Sequence, residues 1–288
     1  MTAIHLVTDS TSYLPMGLID RHDITIVPLR VNWGLESFRE GLDIQGRQFF
    51  ERLRQSRELP TTSQPPVGEF ASCYQKLAEQ GGTIISIHIS GELSGTVAAA
   101  ETAKRMLPGQ DIRIIDSRIT CLGLGFMVEE AATMRTAGKT AAEIEARIHE
   151  LVPNMTAYLM APDLNYLHRG GRIGAAAATF GSLLQVKPLL TMKNANGVIT
   201  VQEKVRTQKK ALARLVELTV TDCQGVDKVK ATVLHADNPA VAAEVNNALR
   251  VALPEAEIVP SEFGPVIGTH VGPGAVGIIF YNQGAGSE

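Results

Sequence analysis

The chain has 288 residues, of which 27 are basic and 30 acidic, and its formal net charge is −3. An apolar fraction of 44%, without an unbroken apolar stretch of roughly 18 residues, excludes both a disordered chain and a membrane span. Nearly balanced charge removes the basis for strong binding to a phosphate backbone, so nucleic acid is not an expected partner.

Short apolar runs alternate with longer amphipathic ones in the first half. Residues 4–7, 24–27, 84–89 and 112–115 read as buried strands, and the helices between them predict a parallel α/β sheet. Apolar side chains repeat at helical spacing over 70–78, which predicts a helix facing the core. Thr140 and Glu143 match a capping box at the start of another helix, which we expect to close a first domain.

The pattern changes at about residue 156. Runs at 187–192 and 198–205 flank Asn196 and Gly197, a pair that tolerates the positive φ of a hairpin turn, so these strands are predicted to be antiparallel. Further strands are expected at 229–234 and 276–281, with a helix over 238–253. We therefore predict an N-terminal α/β domain over 1–155 and a C-terminal α+β domain with a mixed sheet over 156–288.

The three cysteines, Cys73, Cys121 and Cys223, are far apart and form no Cys-x-x-Cys pair. This usage predicts reduced packing residues rather than a disulfide framework. The first ten residues run into a strand-like segment and lack the basic region and apolar core of a signal peptide. We expect the protein in the cytoplasm.

Three common enzyme signatures are missing: a Walker A loop, His-Glu-x-x-His and Gly-x-Ser-x-Gly around Ser94. Residues 272–277 do spell Gly-x-Gly-x-x-Gly. The segment precedes a predicted strand and opens no helix, so its context excludes a dinucleotide-binding site.

Two hydroxyl-rich segments precede predicted helices. Residues 60–65 and 90–96 each combine Ser and Thr side chains with a helix N-terminus, where hydroxyls and free N–H groups can bind an anion. The competing interpretation is helix capping alone, which is the common role of Ser and Thr at such positions.

Histidine and arginine supply the remaining candidates. His270 lies between Gly268 and Gly272, which predict a non-standard backbone path that would let the ring approach a ligand; a solvated loop histidine is the plain alternative. The run 168–172, His-Arg-Gly-Gly-Arg, either presents guanidinium groups to an anion or an acidic partner or marks a helix C-terminus. Arg206 is a further basic position, with a solvated helix start as its alternative.

In order, these segments resemble the DegV family of fatty-acid-binding proteins along nearly the whole chain. The segments are Val7-Thr8-Asp9-Ser10-Thr11, Thr62-Ser63-Gln64-Pro65, Ser90, Leu93-Ser94-Gly95-Thr96, Asp116-Ser117, Arg169-Gly170-Gly171-Arg172-Ile173, Lys187-Pro188, Arg206-Thr207 and Gly272-Pro273-Gly274-Ala275. Each motif is weak alone, and their consistent order carries the resemblance.

The resemblance implies two α/β-type domains with one long-chain fatty acid buried between them. Its carboxylate would be bound by Thr62, Ser63, Ser94, Gly95, Thr269 and His270, and Arg172 and Arg206 would lie near the mouth and face a partner. In bacteria with the associated ATP-dependent fatty acid kinase, such a protein presents the acid for phosphorylation to an acyl phosphate. It would be a carrier without catalysis, metal or cofactor of its own.

Candidate residues for the acyl tail are Ala176, Phe180, Leu184 and Ile267, although the same apolar side chains would equally fill an ordinary core. Two other functions remain open. Ser94 and His270 could act as nucleophile and base of an acyl-transfer or ester-hydrolysing enzyme, for which no third member is evident. The protein could also be an interaction protein whose lipid is incidental.

Overall fold

A computed structural model describes residues 3–174, 181, 186–193, 195–226 and 228–284. In chain order its strands are β1 Ile4–Asp9, β2 Ile24–Val27, β3 Arg30–Trp33, β4 Glu36–Arg39, β5 Thr61–Ser63, β6 Thr83–His88, β7 Asp111–Asp116, β8 Thr156–Met160, β9 Lys187–Met192, β10 Thr200–Val205, β11 Val229–His235, β12 Glu257–Glu262 and β13 Val276–Asn282. They form three sheets.

The helices pack around these sheets. Their bounds are α1 Met16–Arg21, α2 Gly46–Gln55, α3 Val67–Ala78, α4 Thr96–Arg105, α5 Cys121–Thr136, α6 Ala141–Leu151, α7 Asn165–Arg169, α8 Gln208–Asp222, α9 Pro239–Ala252 and α10 Pro265–Val271, with short 3-10 helices at Ser10–Ser12 and Val152–Asn154. Thr140 and Glu143 form the predicted capping box at the start of α6.

The first sheet is parallel, in the order β2-β1-β6-β7. Every residue of β6 is buried, because helices cover both faces of a sheet with crossover connections. The apolar runs of the sequence therefore located all four strands. Phe70 and Tyr74 of α3 are fully buried, as the helical spacing predicted.

A small antiparallel sheet, β4-β3-β5, was not predicted. Its strands are short and mostly polar, so they lack the apolar run by which buried strands are recognised. The segment 60–65, for which the sequence predicts only a place before a helix, supplies β5, and Thr62 pairs with Val31. The sheet thereby fixes the backbone of Thr62.

The second half of the described chain forms a six-stranded mixed sheet, β10-β9-β8-β13-β11-β12. The hairpin of β9 and β10 is antiparallel as predicted, and Gly197 has a φ of 69°. β12 pairs in parallel with β11 and was missed, since its exposed residues alternate with partly buried ones. The boundary near residue 155 falls between the two large sheets and remains a prediction.

One apolar cluster joins the two halves. Leu6 and Ile85 of the parallel sheet belong to the same buried cluster as Leu190 and Ile279 of the mixed sheet. The helix α5 lies between them, and Gly123 leaves room for the side chain of Ile279. The two sheets therefore share one core between them, in addition to a separate buried cluster that each sheet forms with its own helices.

The segment around His270 is helical, which corrects the expectation of a non-standard backbone path between two glycines. Pro265 occupies the first turn, where its fixed φ favours a helix, and α10 continues through Val271. Gly268 is needed for packing instead: a Cβ there would lie 2.8 Å from Cζ of Phe50 in α2. Only Gly272, which ends the helix, has a positive φ, of 72°.

A buried cavity with a polar end

A cavity of about 220 Å³ lies where the carboxyl end of the parallel sheet meets the mixed sheet. Apolar side chains from both halves form most of its wall: Leu29, Ile89, Leu93, Leu159, Leu167, Leu190, Met192, Ile199, Leu234, Phe263, Val266, Ile267, Val271 and Ile279. The predicted tail residue Ile267 is among them. Ala176, Phe180 and Leu184 lie outside the described residues, so their proposed role remains a prediction.

A hydrogen bond joins two predicted head-group residues at the polar end. Thr62 Oγ1 lies 2.7 Å from Nε2 of His270, although the two residues are 208 positions apart in the chain. Both line the cavity, Thr62 from β5 and His270 from α10. The fold thus assembles a hydroxyl–imidazole pair from two segments that the sequence could connect only through family resemblance.

His270 is a neutral imidazole at neutral pH. The residue is 9% exposed, and burial, with the nearby positive charge of Arg172, lowers its pKa to about 4. Its Nδ1 has no hydrogen-bond partner. The ring lies so close to Gly170 that an added Cβ there would collide with Nδ1. His270 therefore acts through hydrogen bonding at Nε2 and carries no positive charge.

The serine loop, residues 90–96, forms a second side of the polar end. Ser94 lines the cavity, and its hydroxyl lies 2.8 Å from Oγ1 of Thr96. Neither Ser94 nor the 60–65 segment caps the following helix through a side chain. Helix capping, the competing interpretation of both segments, therefore does not account for their hydroxyls.

Gln64 was not predicted as a site residue, yet it lines the cavity together with Ser63. Its amide lies so close to Gly95 that a Cβ there would collide with it. Gly95 itself does not line the cavity. Its lack of a side chain leaves the space that the Gln64 amide occupies. The signal in the sequence was the Thr-Ser-Gln-Pro motif, which marked the segment without showing which side chains face inward.

Arg172 closes the polar end from the mixed-sheet side. Its Nε donates to the carbonyl of Leu93 at 3.0 Å, and a terminal nitrogen donates to the carbonyl of Gly170 at 2.6 Å. The Gly-Gly pair before it does form a helix C-terminus, with Gly171 at a φ of 68°. The helix-terminus interpretation of the Arg-Gly-Gly-Arg run is thus confirmed, whereas the presentation of guanidinium groups to an anion or an acidic partner remains a prediction. Arg172 is the one Lys or Arg side chain among the described lining residues.

Two predicted positions lie elsewhere. Thr269 does not line the cavity, because its hydroxyl donates to the carbonyl of Pro265 within α10, at 2.8 Å. Arg206 is exposed at the end of β10. The structure therefore does not bring Thr269 to the head group, and it places Arg206 on the surface.

Two further lining residues, Thr120 and Cys121, were not predicted; they begin α5 and are nearly fully buried. Burial raises the pKa of the Cys121 thiol well above its usual range, so the group is a protonated, apolar part of the wall. Cys73 and Cys223 are also free thiols, as predicted.

The polar end offers hydrogen-bonding groups from both halves of the chain. His270 Nε2 meets Thr62, and among the described residues no carboxylate bonds to the unpartnered Nδ1 to orient the ring as in a catalytic triad. Among the described residues, no group of three or more His, Cys, Asp and Glu side chains stands close enough to hold a metal ion.

A comparison with protein families matches residues 3–283 to the model described as "Uncharacterised protein, DegV family". The chain belongs to the DegV family. Protein DegV of Bacillus subtilis is 41% identical over 276 residues, which cover 96% of this chain and 98% of that protein. The resemblance found in the sequence is thereby confirmed.

Solved DegV structures share the fold. "Fatty Acid Binding of a DegV family Protein from Thermus thermophilus" superposes with a TM-score of 0.91 at 34% identity, covering 98% of this chain and all of that one. "Crystal Structure of DegV, a fatty acid binding protein from Bacillus subtilis" gives 0.90 at 38% identity with the same coverage. The predicted DegV fold, with a parallel and a mixed sheet, is confirmed. In the described part of the chain, no helix has the length and apolarity needed to cross a bilayer.

Proposed function

We propose that this DegV protein binds one long-chain fatty acid in the cavity, with the carboxyl group at the polar end. The observation that carries the proposal is the Thr62–His270 hydrogen bond at the polar end of a mostly apolar cavity. Two DegV relatives with closely similar folds are described as fatty-acid-binding proteins, which supports the same ligand class here.

The acyl chain and the carboxylate of the fatty acid make different contributions to the binding free energy. Burying about fourteen methylenes at roughly 0.8 kcal/mol each contributes on the order of 11 kcal/mol, comparable with an association cost of about 4 to 15 kcal/mol. A buried carboxylate without donors is costly. Thr62, Ser63 and Ser94 supply hydroxyls, His270 supplies Nε2, and Arg172 supplies the positive charge that the neutral imidazole lacks.

We further propose that the protein is a cytoplasmic carrier, without catalysis or a cofactor of its own. It would present the carboxylate to an ATP-dependent fatty acid kinase for phosphorylation. Arg172 at the polar end and exposed Arg206 are the proposed partner-facing positions. Replacing Arg206 by Ala should reduce kinase coupling without loss of lipid, whereas Arg172→Ala should reduce both, because Arg172 also lines the polar end. An interaction protein with an incidental lipid would show no such coupling.

An acyl-transfer enzyme with Ser94 as nucleophile and His270 as base is the second candidate. It receives less support, because the Ser94 hydroxyl contacts Thr96 and His270 Nε2 contacts Thr62. Ser94→Ala separates the two functions. It should weaken lipid retention in a carrier, whereas in an enzyme it would abolish turnover of an acyl ester.

The direct test is extraction of the protein after purification under native conditions. Denaturation should release about one equivalent of a long-chain fatty acid, identified by mass spectrometry of the organic extract. Thr62→Val removes the hydroxyl at nearly constant volume and should lower the retained lipid, because His270 Nε2 loses its partner.

Thr102→Val is a matched control, since its hydroxyl bonds to the carbonyl of Ala98 and the side chain of Arg105 in exposed surroundings on α4, outside the cavity. It should retain lipid like the unmodified protein. Protein that carries no acid, and binds none added after purification, would refute the proposed function.

A further inference from the structure

A buried acid, Glu40, meets the helix that carries His270. Its side chain follows β4 and is 4% exposed. One carboxyl oxygen accepts a hydrogen bond from Ser10 Oγ at 2.6 Å. The other accepts from Val266 N–H at 2.8 Å and from the Tyr13 hydroxyl at 3.2 Å. Glu40 therefore connects Ser10, which follows β1 of the parallel sheet, to Val266 in the first turn of α10. Val266 lies 226 positions after Glu40 in the chain.

The local sequence leaves room for this contact. A Cβ at Gly264 would lie 2.7 Å from Oε1 of Glu40 and 2.6 Å from the Tyr13 ring, so a side chain there would displace the carboxyl group. Val266 is in the first turn of α10, where backbone N–H groups have no partner inside the helix. Glu40 satisfies one of these donors from outside.

The hydrogen bond between Glu40 and Val266 matters because α10 forms part of the cavity wall. Val266, Ile267, His270 and Val271 all line the wall. Of these, His270 is one turn beyond Val266, so a shift of the first turn moves the imidazole relative to Thr62. The Thr269 hydroxyl, by contrast, bonds within α10 itself and does not connect the helix to another element.

The surroundings of Glu40 leave its charge uncompensated by any basic side chain. None of the described Lys, Arg or His side chains forms an ion pair with it. The titratable groups near it are Asp9 at the end of β1, the Tyr13 hydroxyl and the Cys121 thiol at the start of α5. Burial raises the pKa of Glu40 to about 7, and the bonds from Ser10, Val266 and Tyr13 act in the opposite direction.

Resting on the proposed function, we propose that Glu40 is a positioning residue of the fatty-acid site, whose carboxylate holds the first turn of α10 and so sets the place of His270 opposite Thr62. The ionised carboxylate is the stronger acceptor and is also favoured by the positive end of the helix dipole. Lipid affinity should therefore depend on the charge of Glu40, although Glu40 does not touch the lipid.

The test compares Glu40→Gln with the unmodified protein. Both are stripped of lipid, and the Kd for a fluorescent long-chain fatty acid is measured at pH 6 and pH 8. Glu40→Gln retains an acceptor and the side-chain shape but carries no charge. We expect its affinity to be about three- to tenfold weaker at pH 8, with a smaller difference at pH 6, where Glu40 is protonated.

The control is Glu129→Gln, which makes the same chemical change at a half-buried acid that pairs with Lys230 at 2.9 Å, away from α10. It should leave the Kd and its pH dependence unchanged even if the protein unfolds at a lower temperature. The ring resonances of His270 in lipid-free protein give a second measurement: they should shift with pH near 7 in the unmodified protein and not in Glu40→Gln.

Equal affinities for Glu40→Gln and the unmodified protein at both pH values would overturn the positioning role while leaving the proposed function intact. An equal loss in Glu129→Gln would also overturn it, because the effect would then be one of general stability. If the unmodified protein binds no fatty acid at either pH, the proposed function itself fails, and the positioning role falls with it.

Discussion

At the scale of single residues, the His270 ring can occupy its position because residue 170 is a glycine and has no Cβ. The imidazole lies between the Thr62 hydroxyl on one side and the Cα of Gly170 on the other. Gly170 has an ordinary helical φ of −73°, so another residue would be tolerated by the backbone. The restriction at this position is therefore one of space.

Gly170→Ala should weaken fatty-acid binding by about tenfold, because the new methyl group displaces the ring from Thr62 and overpacking of this kind costs about 1 to 3 kcal/mol. The Kd for a fluorescent fatty acid measures the effect. Gly68→Ala is the control, since a Cβ there meets nothing within 4 Å. Tight binding by Gly170→Ala would show that the ring can move without loss of the site.

At the scale of secondary-structure elements, Asp9 joins the carboxyl ends of β1 and β6. One oxygen accepts from Ile89 N–H at 2.9 Å and lies 3.1 Å from Nδ1 of His88. The other accepts from the backbone and hydroxyl of Thr11. Asp9, Thr11 and His88 are fully buried. The network holds the strand end from which the serine loop begins.

Asp9→Asn should lower the free energy of unfolding by about 2 to 3 kcal/mol, because an amide group would oppose donors that are buried and otherwise unpaired. Urea unfolding measures the change. Asp43→Asn is the control: Asp43 also accepts three hydrogen bonds, all from Arg39, but its surroundings are exposed, so water replaces them and the loss should be much smaller than in Asp9→Asn. Similar losses in both variants would contradict the buried-network argument.

The elements also show what sequence can predict. Fully buried runs such as β6, and the capping box of α6, depend on neighbours in sequence and were predicted correctly. The strand β5 was not predicted, because a polar three-residue strand forms only through its pairing with β3. The helix α10 was not predicted either, because Gly268, which allows it to pack against α2, is a residue that normally disfavours a helix. The 60–65 segment and His270 were each candidates from their own sequence, but only the resemblance placed Thr62 and His270 in one site, because their mutual contact depends on tertiary structure.

At the scale of the whole molecule, the shared apolar cluster limits how independent the two halves can be. Leu6 and Ile85 pack into the same cluster as Leu190 and Ile279. Apolar surface on the N-terminal half that is buried only by the C-terminal half would be exposed to water in isolation. The proposed boundary near residue 155 thus separates the parallel sheet from the mixed sheet, whereas the apolar cluster between them contains residues from both sides of it.

A fragment of residues 1–155 should therefore unfold without a cooperative transition, whereas the full chain should unfold in one. Circular dichroism during urea titration measures both. A sharp transition in the fragment, with native-like near-ultraviolet signals, would show instead that the first half closes a sufficient core by itself.

The pairing of Thr62 with His270 also has a consequence for the time at which the site is made. A ribosome must synthesise the chain through residue 270 before the imidazole exists, so a nascent chain that stops earlier lacks one half of this pair. A fatty acid bound in the proposed manner would therefore mark a chain in which β5 and α10 have both been translated and have folded against each other.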